Sequence, residues 1–209
     1  MIDGFLGDTT ELNSWIRSLR ARGDLKRGQV GDLKRAVSRG DLMKWVPTEA
    51  SQQPACLRKF LSALDSLVEK LQSSDELLAG EGFLGKAPLV RHEIQATCYP
   101  CNGAGYARHI DDQTGSRARV LTAILYLNPG WAASHGGALR VYPKDSDGSM
   151  GFGDGEDAWR GFDVEPVDKR LICFWSDPRV PHEVLAARAD RFAISVWYGD
   201  AKAARLPRH

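Results

Sequence analysis

The pattern of apolar positions changes period near residue 90. Before it, apolar residues recur every three or four positions. Leu12, Trp15, Ile16 and Leu19 fall on one helical face, with Asp8 and Glu11 as a capping pair ahead of them and Gly23 as a stop. A second helix is predicted to begin at Pro54, with the stripe Leu57, Phe60, Leu61, Leu64, Leu67, Val68 and Leu71. Both stripes are expected to pack against a sheet. Beyond residue 90 the period falls to two. VRHEIQATCY alternates and VLTAILYLN is rich in β-formers; ALRVYP, FDVEPV, KRLICFWS, HEVLAA and RFAISVWYG follow, punctuated by Gly, Pro, Asn and Asp. Short strands at such even spacing predict a sandwich or barrel, and a jelly roll closes eight of them naturally. The expected fold class is α+β, a double-stranded β-helix (jelly roll) with supporting N-terminal helices. One domain is expected over 1–209, with helical support and a lid over about 1–90 and the core over about 91–200.

Alternation also sorts the faces. In VLTAILYLN, Thr122, Ile124 and Tyr126 share one face and Leu121, Ala123, Leu125 and Leu127 the other. In RFAISVWYG, Arg191, Ala193, Ser195 and Trp197 oppose Phe192, Ile194, Val196 and Tyr198. The second set of each pair suits a hydrophobic core. The first mixes a cation, hydroxyls and a large ring, which is what a polar pocket for a small anion requires. A guanidinium grips a carboxylate bidentately, and burying one without an anion is costly, so an acidic ligand is expected. Gly136 and Gly137 ahead of ALRVYP mark a bulge or a close backbone approach.

Composition narrows the function. A formal net charge of +1 over 209 residues argues against a chain dominated by nucleic acid or an anionic membrane, and no nucleic-acid or membrane partner is expected. No apolar run approaches the ~20 residues that span a bilayer, and MIDGFLGDTTEL lacks the basic start and apolar core of a secretion signal. Four cysteines suit a reduced, intracellular protein; a cytoplasmic monomer is expected, with a nuclear location also open. Cys98 and Cys101 form a lone C-x-x-C, read as two thiols flanking a strand end rather than as half a zinc site. Between the helices, from Arg17 to Lys44, nine Lys or Arg face three Asp, and Gly28, Gly31 and Gly40 predict a mobile loop. It reads either as a solvated surface or as a lid that attracts an acidic segment. KDSDGSMGFGDGEDAWRG reads as a long surface loop; Met150 stands where a calcium loop needs glycine.

The candidate chemistry lies in two runs. GYARHID carries His109 and Asp111, two apart and on one side if extended, and DPRVPHEV carries His182. Two imidazoles and one carboxylate form the facial set that holds ferrous iron and leaves positions open. His182 opens one predicted strand and Arg191 the next. The same three ligands could serve a zinc hydrolase, which would have no use for Arg191, or a non-catalytic metal-binding interaction module.

CYPCNGAGYARHID, ILYLNPGW, GGALRVYP, FWSDPRVPHEV and RFAISVWYGDA together resemble the catalytic domain of the hypoxia-inducible-factor prolyl hydroxylases, over about residues 95–200; IDGFLG and RGDLMKW resemble that family's entry strand and a loop before its long helix more weakly. The resemblance implies an iron- and 2-oxoglutarate-dependent protein prolyl 4-hydroxylase using Fe(II), 2-oxoglutarate, O2 and L-ascorbate. It implies His109, Asp111 and His182 as iron ligands and Arg191, assisted by Tyr126, for the distal carboxylate of 2-oxoglutarate. It implies Tyr99, Thr122, Ile124, Leu139, Val184, Ser195 and Trp197 as lining of the co-substrate and prolyl pocket, with Tyr106 and Trp197 also toward the substrate. It implies a closing segment over about 30–41, braced by a pair between Asp41 and Arg119. The expected partner is a prolyl-containing protein, with acidic flanks matched to the basic lid. The chain departs from the family pattern at Cys101, at Gln95 in place of an apolar pocket residue, in the length of 145–161 and in the lid VGDLKRAVSRGD. The iron chemistry on a non-prolyl or free amino-acid substrate is the alternative.

Overall fold

A computed structural model describes residues 1–28, 39–73, 88–144 and 161–203. The basic lid and most of the Gly/Asp-rich run at 145–161 therefore lie outside the described residues.

Helix α1 runs Thr10–Ala21. Asp8 starts it, with Oδ1 accepting from the Thr10 N–H at 2.9 Å and the Thr10 hydroxyl at 2.7 Å; Glu11 gives no cap, so the expected pair is a single carboxylate. The helix ends in a Schellman motif. Gly23 at φ +70° lets its N–H reach Arg20 O while the Asp24 N–H reaches Leu19 O. Helix α2 runs Ala55–Ser73, directly after Pro54. Leu12, Ile16, Leu19, Leu57, Phe60, Leu61, Leu64 and Val68 are buried in one cluster, with Trp15, Leu67 and Leu71 packed at its edge.

The strands are β1 Lys26–Arg27, β2 Leu42–Val46, β3 Leu89–Tyr99, β4 Tyr106–His109, β5 Leu121–Tyr126, β6 Leu139–Val141, β7 Phe162–Val164, β8 Leu171–Trp175, β9 His182–Val184 and β10 Arg191–Asp200. They form a six-stranded sheet in the order β1-β2-β3-β10-β5-β8 and a four-stranded sheet in the order β4-β9-β6-β7. All pairings are antiparallel. This is the jelly roll. The Ile2 backbone adds a bridge to Leu171 at the entry.

RGDLMKW differs from expectation. Instead of continuing the loop, Leu42–Val46 forms β2 on the edge of β3, from Leu42↔Cys98 to Val46↔Ile94. β2 lies between the two-residue β1 and β3, and only Val46 of its five residues is buried, so its sequence carries little alternation.

The large sheet separates two cores. Leu121, Ala123, Leu125 and Leu127 join Phe192, Ile194, Val196 and Tyr198 against the helices. The opposite face, with Tyr99, Ile124, Tyr126 and Ala193, meets Leu139, Val141 and Val184 of the small sheet. Cys98 is buried on the helix side and burial pushes its thiol up to about 12, whereas Cys101 is exposed beyond the strand end. The pair is thus two unrelated thiols.

Candidate metal centre and its pocket

Between the sheets lies a cavity of about 810 Å³. Register builds its walls. Across β5, β10 and β3 run three rows: Tyr126–Ala193–Thr97, Ile124–Ser195–Gln95 and Thr122–Trp197–Glu93. Across β4, β9 and β6 run two more: Tyr106–Val184–Leu139 and His109–His182–Val141. His109 and His182 are therefore cross-strand partners, and their ring centroids lie 4.3 Å apart.

Asp111 completes the cluster from outside any strand. β4 ends at His109, and the chain bends at Asp111. The expected extended GYARHID is thus cut short, because the run HIDD turns away where no strand partner continues. Side chains place the carboxylate instead. Its Oδ2 accepts from the Thr122 hydroxyl at 2.7 Å and from the Trp197 indole at 3.0 Å. Thr122 and Trp197, expected to line the pocket, do so and also hold Asp111. Asp111 Oδ1 is 3.8 Å from His109 Nε2, and Oδ2 is 3.8 Å from His182 Nε2.

Among the described residues, His109, Asp111 and His182 form a group able to hold a metal, each offering a ligand atom within 4.8 Å of the others. Both imidazoles are oriented by their far nitrogen. His109 Nδ1 pairs with Ala107 O at 2.9 Å and His182 Nδ1 with Val180 O at 3.1 Å. A carbonyl only accepts, so Nδ1 carries a hydrogen, and the neutral form of each ring is the tautomer that aims an Nε2 lone pair at the centre. Burial, then the neighbouring His182, pushes His109 down to about 4. Burial alone would raise Asp111, but the two imidazoles and the Thr122 and Trp197 hydrogen bonds hold it below the ordinary carboxylate range. Neutral imidazoles and an ionised carboxylate are the forms that bind a divalent metal. Tyr106 stacks on His109 at 3.8 Å, and Phe174 meets His182 edge-on at 4.7 Å.

At the other end of the cavity is Arg191, 2% exposed, its guanidinium 5.0 Å from the Tyr99 ring and 4.9 Å from the Tyr126 ring. Its Nε donates to Gly137 O at 2.6 Å. The buried Tyr126 hydroxyl has no hydrogen-bond partner among the described residues. A buried guanidinium beside a buried phenol hydroxyl suits a carboxylate ligand, which accepts from both. Arg191, Tyr99, Ile124, Leu139, Val184 and Ser195 all line the cavity, whereas the buried Tyr126 is not among the lining residues.

Asp41 and Arg119 do not pair as expected. Fully buried Asp41 takes two hydrogen bonds from Arg39, at 2.6 and 2.9 Å, and Arg119 pairs with Glu93 at 2.5 Å. Arg39 is two residues from Asp41 and Glu93 faces Arg119 across the cavity mouth, so each charge finds a nearer partner. Arg119 also lies 4.4 Å over the Trp197 ring. Arg39 and Ser176 were not legible as site residues, whereas Gln95 was read as a pocket position. Arg39 additionally donates to Gln95 Oε1 at 3.2 Å, inside the cavity wall.

Residues 94–199 match the 2OG-Fe(II) oxygenase superfamily. The chain is 34% identical over 208 residues to prolyl hydroxylase EGLN3 of Homo sapiens, covering 96% of this chain and 78% of that protein. It is similar to the solved structure of a Trichoplax adhaerens prolyl hydroxylase in complex with a hypoxia inducible factor oxygen degradation domain peptide fragment. That match has a TM-score of 0.77 and 31% identity, covering 100% of this chain and 86% of the other. A Pseudomonas putida prolyl-4-hydroxylase matches with a TM-score of 0.69 and 31% identity, covering 95% of this chain and 90% of the other.

Proposed function

Since the chain belongs to the 2OG-Fe(II) oxygenase superfamily, and within it to the prolyl hydroxylases, we propose how its residues divide the work of hydroxylating a prolyl residue at C4 in a protein. When bound, ferrous iron with 2-oxoglutarate and dioxygen supplies the oxidising power, releasing succinate and carbon dioxide as the C–H bond becomes C–OH.

The protein binds, orients and excludes. His109, Asp111 and His182 would hold the iron through the two Nε2 atoms and the carboxylate. The Arg191 fork, with Tyr126 packed beside it, would take the distal carboxylate of 2-oxoglutarate. Ile124, Leu139 and Val184 flank its methylenes, and Tyr99, Thr122 and Ser195 complete the lining. Tyr106, Trp197 and the Arg119 side chain frame the mouth for the prolyl ring and shield the centre from water. The observation that carries this reading is that the His109–Asp111–His182 cluster and the buried Arg191 line one cavity.

Further proposals rest on composition and on the family resemblance. Acidic flanks on the substrate would complement exposed Lys26 and Arg27 and the lid residues Lys34 and Arg35. Ascorbate as a reductant follows the family resemblance, and a cytoplasmic or nuclear monomer follows the cysteine usage and near-neutral charge.

The test is incubation with Fe(II), 2-oxoglutarate, air and a panel of prolyl peptides. A +16 Da product localised to proline, with matching succinate, is expected, and His182→Ala should abolish both. Succinate formation with no modified proline would favour another substrate; neither product would remove the reading.

A further inference from the structure

We propose that Ser176 is a positioning residue for the carboxylate of Asp111, acting through Thr122. This rests on the metal-site reading above. Asp111 lies beyond the last ladder bond of β4, so the sheet does not fix it. Its Oδ2 accepts a hydrogen bond from the Thr122 hydroxyl at 2.7 Å, since an ionised carboxylate only accepts. A hydroxyl has one proton. The second contact of Thr122 Oγ1, with Ser176 Oγ at 2.8 Å, must therefore run from serine to threonine. Ser176 is 0% exposed, so no solvent competes for that proton.

Ser176 also grips the backbone. Its carbonyl accepts from the Asp112 N–H at 2.7 Å, and its own N–H reaches Val120 O at 3.1 Å. One residue, just past the end of β8, thus ties the Asp111 segment to the start of β5 and aims a two-hydroxyl chain at Oδ2. Each donor polarises the next, strengthening the final bond. With Trp197 also on Oδ2, the oxygen left without a donor among the described residues is Oδ1. The carboxylate is held in one rotation and presents the same face to a metal each time.

The test uses Mn(II) titration for affinity and the visible spectrum of the Co(II)-loaded protein for ligand geometry, with the melting temperature of the metal-free protein as a folding control. Ser176→Ala should weaken Mn(II) binding about tenfold and shift the Co(II) bands, as loss of outer hydrogen-bond partners does elsewhere. On a Thr122→Val background, the same change should add less than twofold, because the chain is already cut. Ser176→Cys, nearly isosteric with a weaker donor, should fall between wild type and Ser176→Ala, and it carries the test if the alanine variant does not fold. Unchanged affinity and spectrum in Ser176→Ala or Ser176→Cys, or an equal loss on the Thr122→Val background, would overturn the assignment. His182→Ala separates the premises: if it binds Mn(II) as tightly as wild type, the metal-site reading fails instead.

Discussion

Arg191 donates from Nε to the carbonyl oxygen of Gly137 at 2.6 Å. That bond joins the pocket floor, on β10, to the turn leading into β6. It uses the inner edge of the guanidinium and leaves the outer fork for a ligand. A buried arginine is tolerable only with such partners, and Gly137 supplies one before any anion arrives.

Gly137→Ala should therefore damage co-substrate binding without touching the metal ligands. Gly137 has φ +67°, and a Cβ there would lie 3.0 Å from Arg191 Cδ. Backbone strain should cost about 1 kcal/mol of stability. Displacement of Arg191 should raise KM for 2-oxoglutarate at least several-fold, with Mn(II) affinity unchanged. Steady-state kinetics and metal titration check the two halves separately.

Tyr126→Phe should separate stability from binding. The hydroxyl is buried without a partner among the described residues, so its removal should leave the metal-free protein as stable or slightly more so. Binding of 2-oxoglutarate should weaken by roughly 1.5 kcal/mol, about tenfold. Arg191→Lys should weaken it further, since an ammonium cannot form the fork. Calorimetric titration of the Mn(II)-loaded variants measures both.

Acid should destabilise the metal-free protein through His109. In the unfolded chain this imidazole protonates near 6.5; in the fold, burial and His182 delay protonation to about 4. Between these values the unfolded state binds more protons. The contribution is complete above pH 6.5 and is lost as pH falls toward 4, the loss reaching about 2 kcal/mol at pH 5. Urea midpoints at pH 7 and pH 5 should differ less for His109→Gln than for wild type; parallel shifts would contradict the assignment.

The charge pairs at the mouth should differ in worth. Asp41 is fully buried, with a 0% exposed side chain, so Arg39→Ala strands a carboxylate and should cost about 3–5 kcal/mol. Arg119 and Glu93 retain 25% and 13% exposure, and Arg119→Ala should cost about 1 kcal/mol. Arg39→Met with Asp41→Leu should recover most of the first loss. Denaturant unfolding ranks the three.

Periodicity carried most of the frame. The alternation in VLTAILYLN and RFAISVWYG separated pocket face from helix face residue by residue, because both strands are buried on two sides by different neighbours. His109 and His182 were legible as a pair of types but not as a pair in space, which depends on the β4–β9 register. Asp111 shows the limit of a period-two argument: it reaches the cluster by leaving the strand. Charge pairing was misassigned at Asp41 and Arg119 because ion pairs form between whichever groups the folded backbone brings nearest. Ser176, an unremarkable letter in FWSDP, had no local signal at all; only its burial and its partners mark it.

β10 has consequences beyond the pocket it floors. Nine of its ten residues, Arg191 to Gly199, are buried. Odd-numbered side chains serve chemistry while even-numbered ones, from Phe192 to Tyr198, seal the helices onto the sheet. A slip of one residue would exchange the two sets, leaving the cavity greasy and the interior charged. A slipped register in this strand would therefore yield not a sluggish enzyme but no enzyme.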